Sequence, residues 1–206
     1  MTLMEYFKIE NSKRRVDMKF LAFLLLCVLI FLPSTGFTEK QTTNGVSHEL
    51  SKDGDLYTFQ GSFLAFSNRD CLLDILYDFD HLRKFVTSPN SFSLLQRGDN
   101  WYDFCCTYRV LHSENKLVYR KTLRKKERKV TFEMISGRQD IKLIPEVLAS
   151  FGYYEIMPEK DGDQVVYLHQ DRLSPSFCRK IYLYLAQKEA VKFLEGLKTY
   201  VERKCQ

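Results

Sequence analysis

Apolar and polar residues alternate along a series of short segments between Leu56 and Asp171, and turn sequences separate these segments. An alternation with a period of two indicates strands that shelter one face of a sheet. Turn sequences at residues 97–100 (RGDN) and 160–163 (KDGD) bring neighbouring strands together in antiparallel pairs. We therefore predict a first strand near Leu56–Ala65 and, further along, about six antiparallel strands whose sheltered face needs a cover.

Two helical patterns can supply that cover. The stretch CLLDILYDFDHLRKF, residues 71–85, has apolar residues at helical spacing, but the spacing breaks at Asp78-Phe79-Asp80. The break predicts two short helices, with Asp78 and Asp80 as local capping groups and His81 as a surface or capping residue. Residues 177–201 form the second pattern, a helix of about seven turns without internal proline.

The order of these elements predicts an α+β fold. One long helix at the end of the chain can lie across a curved antiparallel sheet, and the two short helices after the first strand can close one end. A sheet bent around one helix leaves a space between them, and that space is the candidate binding site.

Two segments and the final helix resemble the START/polyketide-cyclase superfamily, also called SRPBCC or helix-grip proteins. The segments are LLDILYDFDHLRKFVTS at residues 72–88 and SFGYYEIMPEKDGDQVVYLHQDR at residues 150–172. The resemblance covers about residues 55–204 and is strongest to exported bacterial proteins of the polyketide cyclase/dehydrase and lipid transport type. It implies a helix-grip fold, in which a curved antiparallel sheet wraps around a long C-terminal helix. Because the matching motifs are structural, the resemblance implies no catalytic residue.

The first 38 residues have the pattern of a secretory signal peptide. Basic residues precede an unbroken apolar run of thirteen residues, 20–32, and small residues follow it. The run is short for a bilayer span of about 20 residues, and an uncleaved N-terminal anchor is the alternative. Met18 is an equally suitable start, which would make residues 1–17 an over-long start. We expect export to the periplasm or cell envelope, a polar linker over residues 39–55 and a folded domain over residues 56–204.

The charge of the chain argues against a nucleic-acid partner. Removal of residues 1–38 takes away five of 31 basic and three of 26 acidic residues, which leaves 26 against 23. Nucleic-acid binding asks for a concentrated basic stripe, whereas the densest basic run, residues 120–129 (RKTLRKKERK), spans a predicted turn. We interpret the run as a solvated hairpin tip, with transient contact to an anionic membrane surface as the alternative.

We predict no metal site, no cofactor and no catalytic residue, because the cysteines and histidines do not cluster and no catalytic motif is present. Five cysteines follow residue 38, and one disulfide can form in an oxidising compartment, although the sequence does not assign its pairing. The four histidines, His48, His81, His112 and His169, do not cluster at the spacing of metal ligands.

Aromatic residues at inward-facing strand positions are the candidate ligand contacts. A tyrosine offers an apolar ring and a hydroxyl group, which suits an amphipathic ligand such as a lipid, sterol, quinone or polyketide. The alternative is that these rings only pack the core against the final helix. The seven candidates are Tyr102, Phe104, Tyr108, Tyr119, Phe132, Tyr154 and Tyr167. Residues 139–151, an apolar segment interrupted by Pro145, are a candidate lid over the opening.

Three functions fit these features. The first is the binding and transfer of a hydrophobic small molecule or lipid, since each buried CH₂ group contributes about 0.8 kcal/mol without a catalytic residue. The second is a cyclase- or dehydrase-type enzyme that uses His169, Asp171 or a tyrosine as an acid–base partner. The third is an interaction protein with a filled core and no ligand. We favour the first.

Overall fold

Nine antiparallel strands form one curved sheet in the part of the chain that the computed structural model describes, residues 41–86, 89–110, 113–140, 145–176 and 178–205. In chain order the strands are β1 (Gln41–Thr43), β2 (Val46–Asp53), β3 (Leu56–Ala65), β4 (Ser91–Arg97), β5 (Trp101–Val110), β6 (Ser113–Arg124), β7 (Lys129–Arg138), β8 (Val147–Glu159) and β9 (Gly162–Leu173). Their order across the sheet is β1-β2-β3-β9-β8-β7-β6-β5-β4. The chain therefore crosses from β3 to the far edge at β4 and returns as a meander.

Three α-helices accompany the sheet in the described residues. Two short ones, α1 (Arg69–Tyr77) and α2 (Phe79–Phe85), lie in the connection from β3 to β4, and α3 (Arg179–Lys204) follows β9. The last helix packs on β2 and β3. The buried residues of α3 are Leu194, Leu197, Tyr200 and Val201. This is the α+β helix-grip arrangement that the sequence analysis predicts.

Asp78 ends α1 and begins α2. Its backbone is extended, and its carboxylate accepts hydrogen bonds from the backbone N–H groups of Asp80 (2.7 Å) and His81 (3.3 Å). One aspartate therefore makes the predicted break and satisfies two donors at the start of α2. Asn68 caps α1 in the same way.

Gly61 on β3 allows α3 to approach the sheet. A side chain at this position would collide with a δ-methyl group of Leu194 and would touch the ring of Phe59. Gly61 thus marks a close contact between β3 and α3.

The predicted linker is instead part of the sheet between residues 41 and 53. Each residue of β2 pairs with a residue of β3, and β1 pairs with β2. Asn44 and Gly45, both with positive φ, make the turn between β1 and β2. The segment looks polar because most side chains of this edge hairpin are exposed or half-buried.

The chain divides into a first unit, Met1–Phe37, which lies outside the described residues, and a second unit, Thr38–Gln206, which contains all of them. The signal peptide expected over residues 1–38 and the alternative start at Met18 also lie outside the described residues, so both stay predictions. Among the residues that are described, no helix is both long enough and apolar enough to cross a bilayer.

A disulfide joins Cys71 in the first turn of α1 to Cys205 just after α3, with the two Cα atoms 5.8 Å apart. The two residues are 134 positions apart in the sequence, so the bond ties the end of the chain to the short helices. Cys105, Cys106 and Cys178 are free thiols. The sequence alone does not assign the pairing, because Cys71 and Cys205 meet only through the fold.

Candidate functional site

A cavity of about 510 Å³ lies between the sheet and the N-terminal half of α3. All strands from β2 to β9 contribute to its wall, and α3 contributes side chains between residues 182 and 193. Pockets that bind small molecules commonly have volumes of ~300–1,000 Å³ and an apolar wall with a few polar groups. Leu185 both lines the cavity and is 53% exposed, so it marks the rim.

Six of the seven predicted aromatic contacts line this cavity. They are Phe104, Tyr108, Tyr119, Phe132, Tyr154 and Tyr167. Neighbouring rings touch one another: the centroids of Tyr154 and Tyr167 are 5.0 Å apart, and Phe193 of α3 lies 5.3 Å from Tyr167. The alternation in the sequence therefore identifies the inward face of these strands, whereas contact of the six residues with a ligand stays a prediction.

Tyr102, the seventh candidate, is not part of the cavity wall. It is fully buried beneath the short helices, where its ring contacts those of Tyr77 and Phe79. Its hydroxyl group donates a hydrogen bond of 2.7 Å to the backbone carbonyl of Tyr77, at the end of α1. Because the last carbonyls of a helix lack partners within the helix, Tyr102 has a structural role.

A polar cluster interrupts the apolar wall. Four of its residues, Tyr119, Tyr167, His169 and Asp171, line the cavity, and the fifth, Ser150, is buried and is not a lining residue. Ser150 Oγ lies 2.8 Å from Nε2 of His169 and accepts a hydrogen bond from the Tyr119 hydroxyl at 3.3 Å. The Tyr167 hydroxyl lies 3.1 Å from Nδ1 of His169, and Asp171 Oδ1 lies 3.1 Å from Nε2. The side chains of His169 and Asp171 line the cavity and are 27% and 22% exposed.

His169 and Asp171 form an ion pair within this cluster. Burial disfavours the charged form of both groups, but the Asp171 carboxylate outweighs burial and raises the pKa of His169. The pKa of Asp171 is lowered in turn, because His169 and a hydrogen bond from Ser150 outweigh its burial. The pair is thus held in its charged, mutually neutralised form over a wider pH range than two isolated groups.

The cluster contains a serine, a histidine and an aspartate without the geometry of a nucleophilic triad. In a triad, the serine and the carboxylate bind opposite ring nitrogens of the histidine. Here Ser150 and Asp171 both approach Nε2, and Tyr167 takes Nδ1. The arrangement can bind or protonate a polar group of a ligand, but it does not activate Ser150 as a nucleophile.

The tyrosines of the cavity wall keep their protons at physiological pH. Burial raises the pKa of Tyr108, Tyr119 and Tyr167 well above the ordinary value. Their hydroxyl groups are therefore neutral and can accept a hydrogen bond from a ligand. The Tyr119 hydroxyl already donates its one proton to Ser150, so it does not donate to a ligand oxygen in this arrangement.

Lys121 on β6 is a lining residue that the sequence analysis missed. Its side chain is buried, with 1% exposure for the residue, and its Nζ atom has no hydrogen-bond partner among the described residues. Nζ lies 5.2 Å from the centroid of the Tyr154 ring. Burial lowers the pKa of Lys121 to about 7, although Asp78 and Cys106 act in the opposite direction. Lys121 shares the inward register of Tyr119, and this alternation is a signal that could have identified it.

The basic run at residues 120–129 is a solvated tip over only part of its length. The turn between β6 and β7 is a short 3₁₀ helix, Lys125–Glu127, whose residues are all exposed. Arg120 donates two hydrogen bonds to Asp103, at 2.8 and 3.0 Å, and stacks over Trp101. Lys121 points to the opposite face, because successive residues of a strand alternate between the two faces of the sheet.

The histidines do not form a metal site in the described ranges, where no three or more His, Cys, Asp or Glu side chains come together. His48 is buried on β2 and stacks on Phe59. His81 connects α2 to α3, since its Nδ1 atom lies 2.8 Å from the Tyr200 hydroxyl. His112 lies outside the described residues.

The candidate lid, residues 139–151, is described only at its two ends, because residues 141–144 lie outside the described ranges. Its last residues, from Val147 onwards, belong to β8. The side-chain amide of Gln139 hydrogen-bonds to the backbone N–H and C=O groups of Val147, at 3.1 Å each. Movement of the segment when a ligand enters stays a prediction.

Solved structures of the same fold share little sequence with this chain. A STAR-related lipid transfer protein from Xanthomonas axonopodis has 17% identity and a TM-score of 0.61, and the match covers 81% of this chain and 99% of that one. The Zhui aromatase/cyclase from a Streptomyces species has 13% identity and a TM-score of 0.61, with coverage of 73% and 96%. Human STARD10 has 15% identity and a TM-score of 0.60, with coverage of 90% and 79%.

No protein-family model matches the chain, and no curated protein matches it. At such low identity, likeness to solved structures shows the fold alone. The chain has the START/SRPBCC fold that the sequence resemblance implies, and proteins named for lipid transfer and for aromatase/cyclase activity share that fold.

Proposed function

We propose that this protein binds an amphipathic, hydrophobic small molecule in the cavity and transfers it. The observation that carries the proposal is the cavity itself, about 510 Å³ of space with an aromatic wall and a polar cluster. Each buried CH₂ group contributes about 0.8 kcal/mol, so an apolar chain gives useful affinity without any reaction. Lipids, sterols, quinones and polyketide-like molecules all combine a long apolar body with a few oxygen atoms.

The proposed setting is the periplasm or cell envelope. The signal-like N-terminus and the disulfide between Cys71 and Cys205 support export, because disulfides persist in oxidising compartments. On the same turns of α3 as the rim residue Leu185, the apolar residues Ile181 and Tyr184 are 40% and 65% exposed. We infer that this part of α3 contacts a membrane transiently during transfer, since exposed apolar side chains favour such contact.

Native mass spectrometry of the protein purified from its own host tests the binding proposal. We expect a hydrophobic molecule that is bound without a covalent link and is released by organic solvent. The proposal would be contradicted if the protein carried no such molecule and also did not bind a neutral hydrophobic dye such as Nile red. That result would favour a ligand-free interaction protein.

A side chain that fills the cavity should weaken ligand binding. Ala190 of α3 lines the cavity, so Ala190→Trp is expected to lower the affinity for Nile red about tenfold or more. Lys188→Trp, at an exposed position of the same helix, is the matched control and should bind the dye as the unmodified protein does. Unchanged binding by a folded Ala190→Trp variant would place the dye elsewhere.

The polar cluster favours a second candidate function, a cyclase- or dehydrase-type reaction. His169 in its charged form can donate a proton to a ligand oxygen, and the Asp171 carboxylate can accept one. A carrier returns its ligand with unchanged mass, whereas a dehydrase releases a product that is lighter by one water molecule. Chromatography followed by mass spectrometry of the recovered ligand distinguishes the two, because a cyclised isomer keeps its mass but changes its retention time. Loss of the reaction in His169→Gln would support the enzyme.

A further inference from the structure

Lys121 is a basic residue of the cavity wall without a hydrogen-bonded acidic partner among the described residues. Four Lys, Arg, His, Asp or Glu side chains line the cavity in the described part of the chain. They are Lys121, His169, Asp171 and Glu189. His169 and Asp171 pair with each other, and Glu189 accepts a hydrogen bond from Lys192 at 2.8 Å. The amine of Lys121 makes no hydrogen bond to any described residue.

Burial of the Lys121 amine outweighs the nearby groups that favour its charged form, Asp78 and Cys106. On β5 the opposite residue is Tyr102, whose hydroxyl group is already used at the end of α1. On β7 the opposite residue is Phe132, and from β8 the ring of Tyr154 lies 5.2 Å from Nζ. The carboxylate of Asp78 caps α2 and is not within hydrogen-bond distance of the amine.

An unpartnered amine in an apolar wall is unfavourable for the fold. A buried cation without a counter-charge is destabilising, and a methionine of similar length would fill the same space without that penalty. The flexible four-carbon stem of a lysine also lets Nζ turn towards a group that enters the cavity. Lys121 therefore has the properties of a residue that binds a ligand.

We propose that Lys121 binds the acidic group of the ligand, and that the ligand is an amphiphilic acid such as a long-chain carboxylic acid. This inference rests on the proposed binding function and narrows its ligand class. A carboxylate supplies both the counter-charge and the acceptors that the three N–H donors of the ammonium group lack. The apolar chain of the acid would then contact the aromatic wall. A neutral sterol or alcohol supplies no counter-charge.

The test compares hexadecanoic acid with hexadecanol, which differ only in the group at one end. Displacement of Nile red from the full chain at pH 7 gives both affinities. We expect the acid to bind on the order of tenfold more tightly than the alcohol, because a charge-assisted hydrogen bond adds to the same apolar burial. In Lys121→Met this preference for the acid over the alcohol should disappear. Lys126→Met at the exposed hairpin tip is the matched control and should keep the preference.

The outcomes separate this inference from the function on which it rests. Equal binding of acid and alcohol by the unmodified protein overturns the role of Lys121 and leaves hydrophobic ligand binding intact. Failure to bind the dye or either probe overturns both.

A second measurement needs no variant and covers the case that Lys121→Met does not fold. With ¹³C-labelled lysine, the Cε resonance of Lys121 followed against pH gives the pKa of the amine, which should rise when hexadecanoic acid is added and should not change with hexadecanol. A pKa that is the same with and without the acid contradicts the inference.

Discussion

At the level of single residues, the cavity wall contains one pair of oppositely charged side chains and one basic side chain without a hydrogen-bond partner among the described residues. His169 and Asp171 neutralise each other across 3.1 Å, so they add polarity without a net charge. Lys121 has no such partner among the described residues and would gain most from a ligand that brings a negative charge. The two sites suit different ligand groups, because neutral oxygens can bind the polar cluster and an acid can bind the amine.

Asp171→Asn should destabilise the protein most at mildly acidic pH. The raised pKa of His169 gives stability that is complete below the unfolded value of about 6.5 and is lost as pH rises through the folded value. The lowered pKa of Asp171 gives stability above about pH 3.9 that is lost as pH falls through the folded value. Both contributions are present between about pH 4 and 6.5. We expect a loss of about 1–3 kcal/mol at pH 5.5 and a smaller loss at pH 9.

Urea unfolding of the two proteins at both pH values measures this loss. Asp99→Asn in an exposed turn is the control, and its free energy of unfolding should stay close to that of the unmodified protein at both pH values. An Asp171→Asn effect of equal size at pH 5.5 and pH 9 would mean that packing, and not charge, accounts for it.

Sequence patterns predict on which face of the sheet a strand residue lies, but they do not predict which helix packs over it. Tyr102 and Phe104 share the inward face of β5, as the alternation predicts, but only Phe104 reaches the cavity because Tyr102 lies beneath α1 and α2. The charge of Lys121 predicts a place in the solvated tip, whereas its register with Tyr119 places it inside. For both residues, the missing information is which helix covers that part of the sheet.

At the level of secondary-structure elements, Gly61→Ala should weaken the contact between β3 and α3. The added methyl group meets the side chain of Leu194, and overpacking of this kind costs about 1–3 kcal/mol. In the double variant Gly61→Ala/Leu194→Ala the collision is removed, so the loss should be smaller than the sum of the two single losses. Urea unfolding of the four proteins measures this coupling.

Gly196→Ala on α3 is the control for this substitution. The nearest atom to a methyl group at this position is the backbone oxygen of Phe85, at 3.7 Å, so nothing collides. Replacement of glycine within a helix should stabilise the protein by about 0.5–1 kcal/mol. If Gly61→Ala raised the free energy of unfolding as much as Gly196→Ala, this would contradict the close approach of Leu194 to the sheet.

The two halves of α3 should differ in hydrogen exchange. The buried residues of this helix, Leu194 to Val201, lie in its C-terminal half, whereas Ile181, Tyr184 and Leu185 in the N-terminal half are exposed. Segments with fewer buried contacts open at lower free energy. We therefore expect faster exchange over residues 179–190 than over residues 191–204, measured by mass spectrometry of peptides.

A bound ligand should reduce that difference. Residues 182–193 contribute to the cavity wall, so occupancy by a hydrophobic probe should slow exchange in the N-terminal half and leave the C-terminal half unchanged. Equal protection of both halves without a probe would contradict the difference in local stability.

Secondary-structure elements that depend on residues close together in the sequence can be predicted from capping residues and periodicity. The helix break at Asp78 and the long final helix follow from capping and periodicity, and the structure confirms both. The edge hairpin of β1 and β2 was missed because its exposed side chains resemble those of a linker. Asn44-Gly45 between these strands is a strong hairpin signal, and it could have identified the turn.

At the level of the whole molecule, the cavity depends on how α3 is held against the sheet. The C-terminal half of α3 packs tightly and is followed directly by Cys205, while the N-terminal half covers the cavity. Periodicity and element order in the sequence predict these two layers and a space between them, but they do not predict the size of that space. That space depends on contacts such as Gly61 with Leu194, and on a covalent bond between residues that are distant in the sequence.

Reduction of the disulfide should therefore destabilise the whole fold. A cross-link between residues 134 positions apart restricts the unfolded chain strongly, and bonds of this kind typically contribute about 2–4 kcal/mol. Urea unfolding with and without a reductant measures the contribution, and the double variant Cys71→Ala/Cys205→Ala should behave like the reduced protein. Cys178→Ala removes a free thiol and should keep the full response to reductant. Equal midpoints for the oxidised and reduced protein would mean that packing of Leu197 and Val201 alone holds the end of α3.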